Sequence, residues 1–432
     1  MDSTIQALTL LSQWISFLFQ AVPVKIAPTL LELLMGCMVC RDGHISSAVL
    51  AIRPQLSWTA YYKAIKKGRF KWLALGRQWM RLILNRIPNR SIEFAIDDFP
   101  LPRSSKKAPS AAWHYDHAHR PNRPKFLWGQ LRVSLAVICR HKGRVAAFPL
   151  LLRLVRKKGN RTKLDAAWLL MSVLMTWVPD GFLLILLLDA WYMKGPLVLP
   201  LIHEGVTVIG QVRKDTALFL PPDKPPLKKR GRPRKYGAKL TLENIGRSCR
   251  PVDKILFAYG SDRLFQFYEI KAKVRFLDGR LCRIVWCRFV SDTASWSDWH
   301  LLIGTDPEMD GAEVITRYAR RWWTEPMFNE IKHLFGLKNA WQQTRQALAR
   351  WSMILCLAYS LPRLLALCLG PNAAYAMFPI PWRKNKPATA GWMARAIGRL
   401  FGNVNVRAMW DRKSKKFQPK MTIRPKNSRR VT

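Results

Sequence analysis

The seven residues from Phe182 to Leu188 are all apolar, and the run ends at Asp189. It is too short for a core helix and does not alternate. Such a run forms a strand buried on both faces, which is the kind of strand found in sheets covered by helices. Upstream, Pro179-Asp180-Gly181 divides the longer apolar stretch Leu164–Leu188 into Ala166–Val178 and Phe182–Leu188. Neither piece reaches the roughly 18–20 residues of a membrane span. The stretch therefore reads as helix, turn and buried strand.

The neighbouring segments extend this pattern. Ser91–Ile96 reads as a short strand ending in Asp97-Asp98, and Phe99–Lys125 as a polar loop. Leu127–Cys139 and Arg144–Val155 are β-rich runs joined near His141-Lys142-Gly143. Arg161–Val178 and Met193–His203 read as helices, and Val206–Val212 as a further strand. Three strands, helix, strand, helix, strand predicts an α/β core with a mixed five-stranded sheet and flanking helices. Residues 1–90 read as a helical, basic region suited to DNA docking, with Ile5–Val22, Pro28–Val39 and Trp58–Ile87 as its helices. The core runs over 91–213 and resumes over 310–370. Residues 214–309 read as a β-rich insertion. It opens on the stiff Pro221–Pro226 linker and a basic loop, and Phe265–Phe276 and Leu281–Val290 flank the hairpin signal Asp278-Gly279. Asp310 and Glu313 resemble a capping-box start for the helix Gly311–Gly336, and Ala340–Leu369 is a strongly apolar helix. Residues 371–432 read as a basic arm, with 15 Lys and Arg from Arg383 onward against the single acid Asp411.

Charge narrows the function. The 432 residues carry a formal charge of +45, and 49% of them are hydrophobic. That excludes a disordered polycation and points to a folded partner of a polyanion, nucleic acid first. The 19 Trp beside so many cations suit base stacking and cation–π contacts. The eight Cys read as reduced thiols, and Cys37-Met-Val-Cys40 has no partner pair at zinc spacing. The start Met1-Asp2-Ser3-Thr4 has no basic signal region. Together these predict a cytoplasmic protein with no membrane partner.

Three carboxylates stand out by placement. Asp97 and Asp189 each end an apolar strand, at the edge where α/β sheets bind ligands. Glu325 lies in the helical segment after the insertion. Acids converging there would repel one another unless cations lay between them. Mg²⁺ or Mn²⁺ is the natural choice, and two such ions suit phosphodiester chemistry. Around Glu325 the residues Tyr318, Arg321, Glu325 and Lys332 form Y-x2-R-x3-E-x6-K. On a regular helix the four side chains fall within about 60° of one another. Pro326 predicts a kink or restart there. In this pattern Glu325 binds metal, Arg321 and Lys332 hold phosphates, and Tyr318 positions them.

This segment resembles the Tyr-Arg-Glu-Lys signature of DDE transposases of bacterial insertion sequences, in the insertion-sequence-4 family. The resemblance spans roughly 91–340. It implies an RNase H-like catalytic core interrupted by a β-rich insertion, with Asp97, Asp189 and Glu325 as the catalytic and metal-binding triad for two Mg²⁺ or Mn²⁺ ions. Asp98 competes with Asp97 as first ligand, and Phe99 stands where the family commonly has a small hydroxyl residue. The implied activity is cleavage at transposon ends followed by 3′-OH strand transfer into target DNA, through a hairpin at the excised end. The implied partners are double-stranded DNA, both ends and target, and a second copy of the chain in the DNA-bound complex. The implied setting is the bacterial nucleoid. Two other readings compete: a nuclease of the same fold without strand transfer, and a non-catalytic DNA-binding protein from a decayed element.

Other features take two readings each. Arg230-Gly231-Arg232-Pro233, continuing to Arg234 and Lys235, is either an AT-hook-like minor-groove reader or a basic loop on phosphates. His114, Asp116, His117 and His119 suit phosphate or substrate contact better than a metal. Trp296 and Trp299 read as core residues or as base-stacking ones.

Overall fold

The computed structural model describes residues 3–86, 90–115, 122, 124–155, 163–222 and 234–419. The chain forms two compact units, one of residues 1–82 with 330–432 and one of residues 83–329.

The first unit opens with helices α1 (Ser3–Phe19), α2 (Ala27–Cys40), α3 (Ile45–Leu50), α4 (Trp58–Lys67) and α5 (Trp72–Leu84), the last running just past the unit boundary. The basic helical stretch from Trp58 forms two helices, α4 and α5, separated at Gly68-Arg69-Phe70-Lys71.

The second unit is built on one large mixed sheet. Its strands are β1 (Ser91–Pro102), β2 (Ala112–Tyr115), β3 (Phe126–His141), β4 (Arg144–Leu154), β5 (Leu183–Leu188), β6 (Thr207–Val212), β7 (Leu218–Phe219), β8 (Lys239–Leu240), β9 (Val252–Ala258), β10 (Ser261–Val274), β11 (Arg280–Phe289) and β12 (His300–Gly304). The order is β2-β3-β1-β5-β6-β12-β11-β10-β7-β8, with β4 on β3 and β9 on β10. β1, β5 and β6 run parallel, and β3 and β4 are antiparallel neighbours. These five are the strands expected from 91–213. The strands of 214–309 extend the same sheet, because β12 pairs antiparallel with β6, Ile303 opposite Gly210. The turn between β10 and β11 falls where Asp278-Gly279 predicts it, with φ of 55° and 72°.

The parallel crossovers use α6 (Lys163–Met175), which leads from β4 to β5, and α7 (Gly195–His203), which leads from β5 to β6. The apolar stretch over 164–188 is indeed helix, turn and buried strand, with Gly181 at φ +83° in the turn. After the short α8 (Leu242–Ser248) and β12 comes α9 (Gly311–Ala319), which lies against β5, β6 and β9–β12. The Asp310 carboxylate caps α9 by accepting from the Ala312 N–H at 2.9 Å. Glu313 pairs with Arg317 at 2.6 Å, within α9 itself.

Returning to the first unit, α11 (Arg345–Met377) packs on α1, α2 and α12 (Ala390–Phe401). By length and mean hydropathy α11 could cross a membrane, yet 83% of its most apolar window is buried inside the unit. It serves as the core helix. α12 lies within the basic tail, and its apolar face (Trp392, Met393, Ile397, Phe401) is buried. That part of the expected arm is therefore folded structure.

Gly210 fixes the spacing of β6 and β5. A Cβ there would stand 2.9 Å from the Leu188 carbonyl oxygen and 2.4 Å from Sδ of Met193. Gly210→Val should cost about 1–3 kcal/mol by overpacking. A thermal melt of the variant should show a lowered midpoint, and an unchanged midpoint would mean that β5 and β6 are not held this closely.

Candidate active site

The geometry of the site starts from register. β1 and β5 are parallel, with Ile96 opposite Leu188. The next residue along each strand is an aspartate, so Asp189, just past the end of β5, lies beside Asp97. β1 does not end there as expected but continues through Asp97 to Pro102 along β3, and β2 also falls within the expected 99–125 loop. Successive strand residues point to opposite faces. Glu93, Asp97 and Phe99 meet the layer containing α9 and the helix after it: Arg317 lies 2.7 Å from Glu93, Arg321 lies 3.2 Å from Asp97, and Phe328 lies 4.8 Å from Phe99, ring to ring. Asp98 faces the other way. It accepts from Lys163 Nζ at 2.8 Å and from the Tyr192 hydroxyl at 2.9 Å.

This difference separates the two candidates for first ligand. Asp98 already has a cation and a hydroxyl. Asp97 faces Asp189 and Arg321, and the Asp98 N–H donates to its Oδ1 at 2.8 Å. Burial pushes the Asp97 carboxyl up to about 6; Arg321 works against that rise and Asp189 adds to it. Asp189 itself is fixed by the N–H groups of Trp191 and Tyr192, both donating to Oδ1 at 3.0 Å.

The helical signature is broken where its pattern crosses Arg320. α9 ends at Ala319, and Arg320–Trp323 form a 3-10 turn. α10 (Thr324–Asn329) then starts afresh. Pro326 falls in the first turn of α10, where its missing N–H is not needed. Arg321 nevertheless reaches both acids: its guanidinium is 3.2 Å from Asp97 and 3.6 Å from Glu325. It also lies 5.8 Å from the Tyr318 ring centroid. Burial opposes the charge of Arg321, but Tyr318 and Asp97 outweigh it and hold its pKa above the usual value. Tyr318 is buried, and its hydroxyl donates to Gln211 Oε1 at 3.1 Å. Lys332 lies in a π-helical turn, Glu330–Leu334, within the other unit.

Asp97, Tyr318, Arg321 and Glu325 thus come together, with Asp189 beside Asp97. Among the described residues, no three Asp, Glu, His or Cys side chains are gathered closely enough to hold an ion. Arg321 stands between two of the acids instead. Arg230 and Arg232 lie outside the described residues, as do Asp116, His117 and His119. Lys235 pairs with Asp278 at the β10–β11 turn. Trp296 is 41% exposed, and Arg288 lies 4.7 Å and 4.8 Å from the Trp296 and Trp299 ring centroids. The core reading therefore fails for Trp296.

Four further residues support the site without having stood out in the sequence: Lys163, Tyr192, Gln211 and Glu93. Glu93 had a readable signal, a lone acid inside the apolar strand Ser91–Ile96. The other three act through tertiary contacts that no local pattern marks.

Because the folded state raises the Asp97 pKa above its ordinary 3.8, protonated Asp97 is favoured by folding. Stability is therefore lost as pH rises from about 4 to about 6, by roughly 2–3 kcal/mol. In metal-free buffer, Asp97→Asn should abolish that loss. The variant should exceed the parent in stability at pH 7.5 and match it below pH 4, as read from urea midpoints. A stability difference independent of pH would contradict this assignment.

No curated protein matches the chain. A family profile described as DDE superfamily endonuclease matches residues 18–254, a span that includes Asp97 and Asp189 and ends before Glu325. Since that match covers more than half of the sequence, the chain belongs to the DDE superfamily endonucleases.

Proposed function

We propose that this endonuclease is a transposase of the insertion-sequence-4 type. It would cleave DNA at the ends of its element and join the freed 3′-OH to target DNA. The observation that carries the reading is the juxtaposition of Asp97, within β1, and Asp189, just past the end of the adjacent parallel strand β5, with Glu325 joined to Asp97 through Arg321. The strand order β4-β3-β1-β5-β6 supports an RNase H-like core, and β7–β12 lie in sequence between Asp189 and Glu325, where an insertion is expected.

The residues fit divalent metal. Asp97 and Asp189 are neighbouring carboxylates, and the repulsion between them contributes to the raised Asp97 pKa. Mg²⁺ is commonly held by one or two carboxylates, with waters and substrate phosphate completing its shell. Asp97 and Asp189 would hold such an ion, and Glu325 would join them once Arg321 turns toward a phosphate. An ion or pair of ions held there would provide activation of the attacking water or hydroxyl and charge stabilisation at the leaving oxygen. The chain's own residues do the positioning. The N–H groups of Trp191 and Tyr192 fix Asp189, Lys163 and Tyr192 hold Asp98 on the opposite face, and Gln211 anchors Tyr318. Arg321 neutralises Asp97 and Glu325 in the free protein and is placed to exchange them for the DNA backbone. Two copies of the chain would hold the two ends of one element.

The test uses a plasmid carrying the gene with its flanking DNA. The purified chain should cleave with Mg²⁺ and not with EDTA, and a pre-cut end should join to a second plasmid. Glu325→Gln should lower cleavage by about 100-fold or more, the scale of several kcal/mol of metal-derived stabilisation, while DNA binding is retained. Arg321→Ala should weaken binding and leave residual cleavage at low salt. Near-parent cleavage by Glu325→Gln would overturn the catalytic reading. Cleavage without joining would leave a nuclease.

A further inference from the structure

Four residues along β1 from Asp97, the same sheet face carries a second, separate feature. The carboxylate of Glu93 is buried and paired with both Arg317, at 2.7 Å, and Arg320. Arg317 also bonds Glu313. Glu93, Arg317 and Arg320 line a cavity of about 710 Å³ whose opposite wall is the β3–β4 hairpin, with Arg140, His141 and Lys142. Arg140 and Lys142 are exposed, and no acid pairs with either among the described residues. Lys142 sits at φ 48° in the tight turn, which fixes the position of its backbone.

The charges in this cavity are out of balance. Arg140, Lys142, Arg317 and Arg320 face a single acid on its lining, Glu93. Burial disfavours the Arg320 charge, Glu93 supports it, and Arg140 and Arg317 oppose it. Glu93 orients two guanidiniums without neutralising the group, and an anion entering the cavity would relieve the remaining repulsion. Planar guanidiniums held as a fork favour phosphate. The third wall, at the β9–β10 turn, brings the half-exposed ring of Phe257 and the ring of Tyr259, surfaces suited to a sugar or base beside a phosphate.

We infer that this cavity is a second DNA-backbone site. It takes phosphates of the strand whose reacting phosphodiester lies at Asp97 and Asp189. The inference deepens the proposed function and rests on it for the identity of the strand. Four strand residues span about 13 Å, and consecutive phosphates along one strand lie roughly 6–7 Å apart, about 3.4 Å being only the rise along the helix axis. The cavity therefore holds the strand about two nucleotides from the bond that is cut and fixes which bond reaches the carboxylates.

The experiment compares the full chain with Arg140→Gln/Lys142→Asn. Asn tolerates the left-handed turn position that Lys142 occupies, and both residues are solvent-facing, so the melting midpoint should hold. Binding of a short duplex is measured against salt concentration. Each lost phosphate contact should flatten the slope of log K against log salt by about 0.9, or about 1.8 for the pair. Arg140→Lys alone should keep the parent slope. An unchanged slope in the double variant overturns the proposal. So does binding of inorganic phosphate or a mononucleotide that the double variant loses while the DNA slope stays the same, since the cavity would then be a small-anion site. In a second arm, a neutral methylphosphonate about two nucleotides from the cut should weaken binding by the parent and not by the double variant. The slope needs no catalysis, so inactive carboxylates would sink the transposase reading and leave the DNA contact standing.

Discussion

The parallel register of β1 and β5 is the constraint on which the site depends. With Ile96 opposite Leu188, two aspartates stand side by side at the C-terminal end of β5. Neighbouring carboxylates so placed repel one another, and burial together with Asp189 pushes the Asp97 carboxyl up to about 6. The surrounding contacts answer that electrostatic difficulty. Arg321 lies between Asp97 and Glu325, backbone N–H groups hold Asp189, and Lys163 with Tyr192 draws Asp98 to the opposite face. Under the proposed function, the same repulsion would favour a divalent cation between Asp97 and Asp189.

The break in the helix over the sheet has a consequence for charge placement. In a 3-10 turn, residues three apart eclipse one another. Arg317, near the end of α9, and Arg320, at the start of the turn, both reach Glu93, whereas Arg321, one step on, reaches Asp97. A segment of five residues thus serves two acids separated by four positions on β1. One acid is buried and doubly paired; the other is shared with Glu325. This division of labour puts a cation-rich cavity and an acid-rich edge on the same sheet face, as an enzyme acting on a polyanion through metal requires.

The sequence makes much of this legible. Ile185–Leu188 are apolar because that half of β5 is covered on both sides, and its end marks Asp189. Asp278-Gly279 marks the β10–β11 turn because both residues tolerate positive φ. The Y-x2-R-x3-E spacing marks residues that do meet, even though the helix carrying them is not regular. What stays hidden depends on tertiary pairing. No local pattern says that β12 would dock on β6 and continue the core sheet, or that Lys163 would take Asp98 and leave Asp97 for the site. The basic tail misleads for a physical reason: the cations of α12, Arg395 and Arg399, lie on its exposed side, while its other side buries Trp392, Met393, Ile397 and Phe401. Net charge records the cations and is blind to the periodicity.

The central claim is that the neighbouring carboxylates of Asp97 and Asp189 form a divalent-metal site. Mn²⁺ titration of the full chain, followed by electron paramagnetic resonance, tests it without reference to any DNA sequence. The parent should bind Mn²⁺, with affinity falling as pH drops through about 6, because protonated Asp97 is a poor ligand. Asp189→Asn should weaken that binding at least about tenfold, the lower end of what loss of a supporting group costs a metal site. Equal Mn²⁺ affinity in the parent and Asp189→Asn would contradict the account.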